Sequence, residues 1–242
     1  MIVKARGIIL NNSDYRDNDL LCHILFAEYG LLTFVVKGAK KLTSKNAFGV
    51  NRGTISEITF DYKENRKMFS IQRADYIESY YYDDDLIKLT TLNMIFEIAG
   101  VVSKDQDVVF ELYDLLNKTL LATREYDILQ VLALYIAKIM KLVGIEPYVD
   151  GCVLCNASKV VAISKEKGGF LCEHHALNLP KDEVRVLKKF RLINKMDFEH
   201  LNLLKDLDYN WSDTLIMLDF LTYNSVVNVK SYRFLKSLLK DL

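Results

Sequence analysis

Two groups of residues in this sequence have the types and spacing to do chemistry. The first is Cys152-Val-Leu-Cys155 followed, sixteen residues on, by Cys172-Glu-His174-His175. Two pairs of soft or borderline donors, each pair separated by two residues, are the pattern of a tetrahedral Zn2+ site. Thiolate and imidazole donors suit Zn2+ better than the hard, oxygen-seeking cations. The fourth ligand is either His174 or His175, and the two-residue gap favours His175 beside Cys152, Cys155 and Cys172. Asp150-Gly151 and Gly168-Gly169 supply turns around the two pairs. Four protein ligands leave no coordination position open, so the expected Zn2+ is structural: it contributes folding energy and not a reaction. The zinc-deaminase pattern fails, because the upstream His23 is followed by Ile24-Leu25, and no H-E-x-x-H occurs.

The second group is Val36-Lys37-Gly38-Ala39-Lys40-Lys41-Leu42-Thr43-Ser44-Lys45, with Arg52 shortly after. Lysines neutralise phosphates, Gly38 lets backbone approach a ligand, and Thr43 and Ser44 can bond phosphate oxygens. The G-x-x-x-x-G-K-[ST] order is missing, which excludes a P-loop. The chain is neutral overall, with 32 basic and 32 acidic residues. The charges are nevertheless segregated. Residues 37–73 hold nine Lys or Arg against three acids, whereas 81–150 hold twelve acids against six bases. Such segregation points to a localised anion-binding face.

Little else suggests catalysis. The sequence offers no nucleophile–base pair, open metal site or glycine-rich phosphate cradle, and the acids Asp83-Asp84-Asp85 suit a helix N-terminus. A non-enzymatic protein without a small-molecule substrate is expected. No apolar run is long enough for a membrane span, and the N-terminus lacks the pattern of an export signal. A cytoplasmic location follows, where thiols stay reduced and clustered cysteines bind metal in preference to forming disulfides.

The elements that must position these groups change character along the chain. Lys4–Leu10, Leu20–Phe26, Leu31–Lys37, Thr54–Tyr62, Met68–Arg73 and Tyr76–Tyr82 read as short strands rich in branched and aromatic residues, separated by turn formers such as Asn11-Asn12-Ser13 and Tyr29-Gly30. Five or six such strands suggest a small barrel, with residues 38–52 as a polar loop. Phe34, Phe60, Tyr62 and Phe69 are its candidate base-stacking aromatics, some of which must be core. From Asp83 the apolar residues recur at helical steps, predicting helices over 83–103, 107–124, 126–144, 180–194, 212–226 and 232–239. The fold class is α+β by segregation. It comprises a β-barrel over 1–82 and an all-α region over 83–242, with an inserted zinc module at 150–178. Cys22 reads as a core thiol and His23 as an outward-facing imidazole.

Arg6-Gly7-Ile8-Ile9-Leu10, Tyr15-Arg16-Asp17-Asn18-Asp19-Leu20-Leu21, Phe26-x-x-Tyr29-Gly30 and Val36-Lys37-Gly38-Ala39-Lys40-Lys41 together resemble the RecO family of recombination mediators, as do the Gly151-Cys152-x-x-Cys155 and Gly168-Gly169-x-Leu171-Cys172 knuckles. Many relatives carry a fourth cysteine where this chain has His175. The resemblance implies an OB-fold at the N-terminus. It also implies binding of single- and double-stranded DNA, annealing of complementary strands, and work with RecR and single-stranded-DNA-binding protein in loading RecA. Lys37, Lys40, Lys41, Lys45 and Arg52 are then the expected DNA contacts, in a protein associated with the nucleoid. Lys181, Arg185, Lys188 and Lys189 form a second basic stretch, suited to docking an acidic partner. The alternative function is a protein-only adaptor of a repair complex that does not touch DNA.

Overall fold

The computed structural model describes residues 1–81, 85–177, 179–225 and 229–238, apart from the side chains of 106 and 205–207. Alternating apolar residues build five strands: β1 (Ile2–Tyr15), β2 (Asp19–Phe26), β3 (Gly30–Val36), β4 (Thr54–Asp61) and β5 (Phe69–Ser79). They close into a barrel in the order β1-β2-β3-β5-β4, antiparallel except for the short parallel pairing of Phe34 and Val35 with Phe69 and Ser70. This is the OB-fold arrangement, closed by that short parallel pairing. Its interior holds Cys22, Ile24, Phe26, Phe34, Val36, Phe60 and Phe69, with Phe34 and Phe60 edge-to-face at 5.0 Å between ring centroids.

Two local readings differ from the structure. Asn11-Asn12-Ser13 does not turn. It lies within β1 beyond an irregularity between Ile9 and Asn11, and the chain reverses at Arg16, whose φ is +56°. The predicted strands 68–73 and 76–82 fall in one strand, β5, whose ladder with β4 continues through two register shifts at which Gln72 and Ile77 are the extra residues on β5.

Six helices follow: α1 (Leu86–Val102), α2 (Val109–Ala122), α3 (Ile128–Leu142), α4 (Val184–Lys195), α5 (Trp211–Asn224) and α6 (Lys230–Leu238). Asp85 caps α1 by accepting hydrogen bonds from the amides of Ile87 and Lys88, while Asp83 and Asp84 lie outside the described residues. α4 starts at Val184 and not at Pro180. The reason is that Asp182 is held by the cysteine-bearing segment before it: its amide bonds Val161 O and its carboxylate accepts from Ile163 N. A 3-10 segment, Phe198–Leu207, had no signature in the sequence pattern.

The chain packs as two compact units. The first unit runs from Met1 to Asp114 and takes back Lys230–Leu238; the second is Leu115–Val229. In the first unit α1 is buried on nearly all sides, and its Glu97 carboxylate accepts from Lys230 N, Ser231 N and Ser231 Oγ, fixing the N-terminus of α6. In the second, α3 is the buried centre, and Thr214 of α5 bonds Leu129 O.

Lys189 of α4 is the main correction to the basic-stretch reading. It is only 2% exposed, and its ammonium donates to Asp208 O at 2.6 Å and to Asp213 Oδ2 at 2.7 Å. Asp213 also completes the capping box of α5 with Asn210. A buried cation with these partners holds α4, α5 and the turn between them together, and it presents nothing to a partner protein. Removing one member of a buried pair leaves the other charge uncompensated, so Lys189→Met is expected to cost roughly 3–5 kcal/mol. Thermal denaturation followed by circular dichroism checks this. A midpoint equal to that of the unaltered protein would show that the pair contributes nothing.

Candidate metal centre and nucleic-acid interface

In the second unit, two short strands form a ribbon, β6 (Ala162–Ser164) and β7 (Gly169–Leu171), turning at Lys165–Gly168. Gly169 lies against Tyr148, where a Cβ would stand 2.3 Å from Tyr148 O, so only glycine permits that approach. The ribbon carries both knuckles. The amides of Cys155 and Asn156 bond Cys152 O, and those of His175 and Ala176 bond Cys172 O. The amide of Val153 bonds Phe170 O, which ties the first knuckle to β7. Lys195 pairs with Asp150, and Arg191 donates to Val149 O, tying the start of the module to α4.

The knuckles bring Cys152, Cys155, Cys172 and His175 together, with one donor atom from each lying within 4.8 Å of the others. His175 Nδ1 is 3.4 Å from Cys152 Sγ and 3.3 Å from Cys172 Sγ, and Cys155 Sγ is 3.7 Å from Cys172 Sγ. Zn–S bonds of about 2.3 Å and Zn–N bonds of about 2.0 Å place tetrahedral donors roughly 3.5–3.8 Å apart; the Cys155–Cys172 separation falls in that range and the two His175 separations are slightly shorter. His174 is exposed and outside the cluster, so the choice left open by the sequence falls on His175. Burial opposes ionisation of Cys152, but hydrogen bonds from backbone at Cys172, Leu154 and Cys155 and from His175 outweigh it and hold the thiol down at about 6. Cys155 accepts a hydrogen bond at Ala157 that favours its thiolate, yet the neighbouring Cys152 and Cys172 push its titration up. Three thiolates in one cage repel one another, and a divalent cation removes that penalty. The donor set therefore fits a metal ion.

The first unit holds the basic segment. It is anchored at both ends, because Ala39 and Val50 are buried in the barrel core. Gly38 N, just before Ala39, donates to Asp19 Oδ1; between the anchors Lys40 N donates to Asn18 O and Asn46 Oδ1 accepts from Ala74 N. Lys37, Lys41 and Lys45 are exposed and make no ion pair among the described residues, whereas Lys40 is bound to Asp14 at 2.8 Å. Arg52 is separate from them. It is half-buried, its Nε donates to Leu10 O, and burial lowers its pKa. It lines a cavity of about 840 Å3 together with His23 and Thr33 from the outer face of β2–β3, and with residues of α1 and α6. His23 is half-buried there and not free in solvent, and burial lowers its pKa. Cys22 sits in the barrel core, where burial pushes its thiol up to about 12.

The aromatic candidates largely belong to the barrel core. Phe34, Phe60 and Phe69 are buried, and Tyr62 is half-buried and stacks on Phe69. The second basic stretch is mostly paired within the chain: Lys181 with Glu173, Arg185 with Asp208, and Lys189 as described above, with Lys188 exposed.

Residues 1–80 match the family model described as Recombination protein O N terminal, and residues 83–223 match the one described as Recombination protein O C terminal. The chain is 26% identical to a protein of Halalkalibacterium halodurans over 98% of its own length and 96% of that protein's. It is 27% identical to one from Bacillus cereus strain AH187 over 99% of each, and 24% identical to one from Alkaliphilus metalliredigens over 85% and 86%. Each of the three is named DNA repair protein RecO.

Elemental analysis of protein purified without chelator is expected to find one zinc per chain, falling well below that in Cys172→Ser. Co2+ in its place is expected to show the visible absorption of a tetrahedral thiolate site. Metal-free protein of unchanged thermal midpoint would remove the assignment.

Proposed function

The chain belongs to the RecO family, and from that premise we propose that it is a DNA-binding recombination mediator. It binds single- and double-stranded DNA, anneals complementary strands and assists RecA loading together with RecR and single-stranded-DNA-binding protein. The observation that carries this reading is the anchored loop, which displays Lys37, Lys41 and Lys45 with no acidic partner among the described residues. Three unpaired ammonium groups on a fixed frame are suited to phosphates, and their binding gains from counterion release. Lys40 joins them by exchanging Asp14 for a phosphate. Phosphate contact reads no sequence, which suits a mediator that must act on any break.

Cys152, Cys155, Cys172 and His175 hold Zn2+ in this reading. The ion ties the two knuckles together and supplies folding energy, and with four protein ligands it leaves no position for substrate. Lys188, with Arg185 and Lys181 beside it on the same segment, is the proposed docking point for an acidic segment of a partner protein. A role on DNA places the protein in the cytoplasm, at the nucleoid.

Fluorescence anisotropy of a labelled single strand, titrated over a range of salt, tests the proposal. Binding is expected to weaken steeply as salt rises. Replacing Lys37, Lys41 and Lys45 together by Ala should reduce the log–log salt slope by roughly 2, since each phosphate contact on a single strand contributes about 0.7. No binding at low salt would leave the protein-only adaptor as the better account.

A further inference from the structure

The barrel has no open aromatic face for a single strand. OB-folds commonly take nucleic acid across β2 and β3, but here the outward side chains His23, Leu31 and Thr33 of those strands face a cavity whose other walls include Leu89 and Phe96 of α1 and Phe234 of α6. Phe26, Phe34, Phe60 and Phe69 of the strands are turned inward to the core, and Tyr76 on β5 is exposed away from β2 and β3 in the ladder. If the lysine loop binds single strands, the π-surface for their bases must come from elsewhere.

The loop itself carries one. Phe48 is 76% exposed. It opens a 3-10 turn, Phe48–Val50, whose next two residues are buried. Gly49 is pressed onto β5, where a Cβ would stand 2.6 Å from Ala74 O. Val50 O accepts from Asn12 Nδ2, and Thr54 Oγ1 donates to Asn51 O at 2.7 Å. Asn46 receives the Ala74 amide on the other side. A phenyl ring is thus held in water on a fixed turn, three residues from Lys45. Other exposed aromatics of this unit, Tyr76 on β5 and Phe110 on α2, lie outside the lysine segment.

We propose that Phe48 is the base-stacking residue of this loop: an unpaired nucleobase stacks on its ring while Lys37, Lys41 and Lys45 hold the flanking phosphates. The inference rests on the DNA-binding reading above and adds a preference for single strands, because a base inside a duplex has its faces covered by its neighbours. The rigid turn spares the cost of ordering the ring on binding. Stacking tolerates any base, so the preference carries no sequence requirement.

The test uses the full chain with oligo-dT and with a duplex of the same length at matched salt. Phe48→Leu keeps an apolar side chain but removes the ring. It is expected to weaken oligo-dT binding roughly fivefold to hundredfold with the salt slope unchanged, and to leave duplex binding as it was. Phe48→Trp is expected to restore the affinity, and its added indole emission, measured against the Trp211 background, should be quenched by oligo-dT. Equal losses on single strand and duplex would show that Phe48 merely shapes the loop and overturn the proposal. So would undiminished oligo-dT binding by Phe48→Leu, which leaves DNA binding itself intact. Absence of oligo-dT binding by the unaltered protein overturns both readings.

Discussion

Closure of the five-stranded barrel is the constraint on which the rest of the first unit depends. A small barrel has room only for interdigitated side chains, and here Phe26, Phe34, Phe60 and Phe69 fill it. Once the rings are committed to the interior, the strands can offer a ligand only what points outward. That outer surface along β2 and β3 is partly roofed by α1 and α6. The loop between β3 and β4 is what remains, and the barrel holds it at both ends through Ala39 and Val50. Exposed lysines on such a loop are positioned charges.

The second unit faces a different constraint, the mutual repulsion of thiolates. Backbone amides stabilise Cys152 as an anion, and ionisation of Cys155 is opposed by its cysteine neighbours. An ion of charge two reverses that balance. The ribbon of β6 and β7 and the ties from Asp182, Arg191 and Lys195 then make the module one piece with α4.

The metal-ligand spacing was legible in the sequence because each knuckle is local: two residues between donors determine which side chains converge. The barrel strands and most helices were legible for the same reason, since alternation and helical periodicity are short-range patterns. Phe34 and Phe60 could not be told from surface aromatics, because both faces of a strand tolerate a ring and only closure decides between them. Lys189 read as a surface charge because its partner, Asp213, lies on the next helix and no local pattern announces the pair. Phe48 left a weak signal, a lone aromatic before a glycine in a polar, basic loop. Recognising it needed the contact between Gly49 and Ala74, which joins distant parts of the chain. The return of α6 to the first unit had no local signal, because Glu97 reaches to a helix far along the chain.

That helix sets an order of events during synthesis. The barrel, α1 and the first turns of α2 emerge before the second unit, whereas α6 emerges after it. Until Lys230 and Ser231 arrive, Glu97 has no helix terminus to hold, and Phe234 is missing from the wall of the cavity over β2 and β3. Until then α1 is the only helix walling the cavity over β2 and β3, which stays open on the side that α6 later closes.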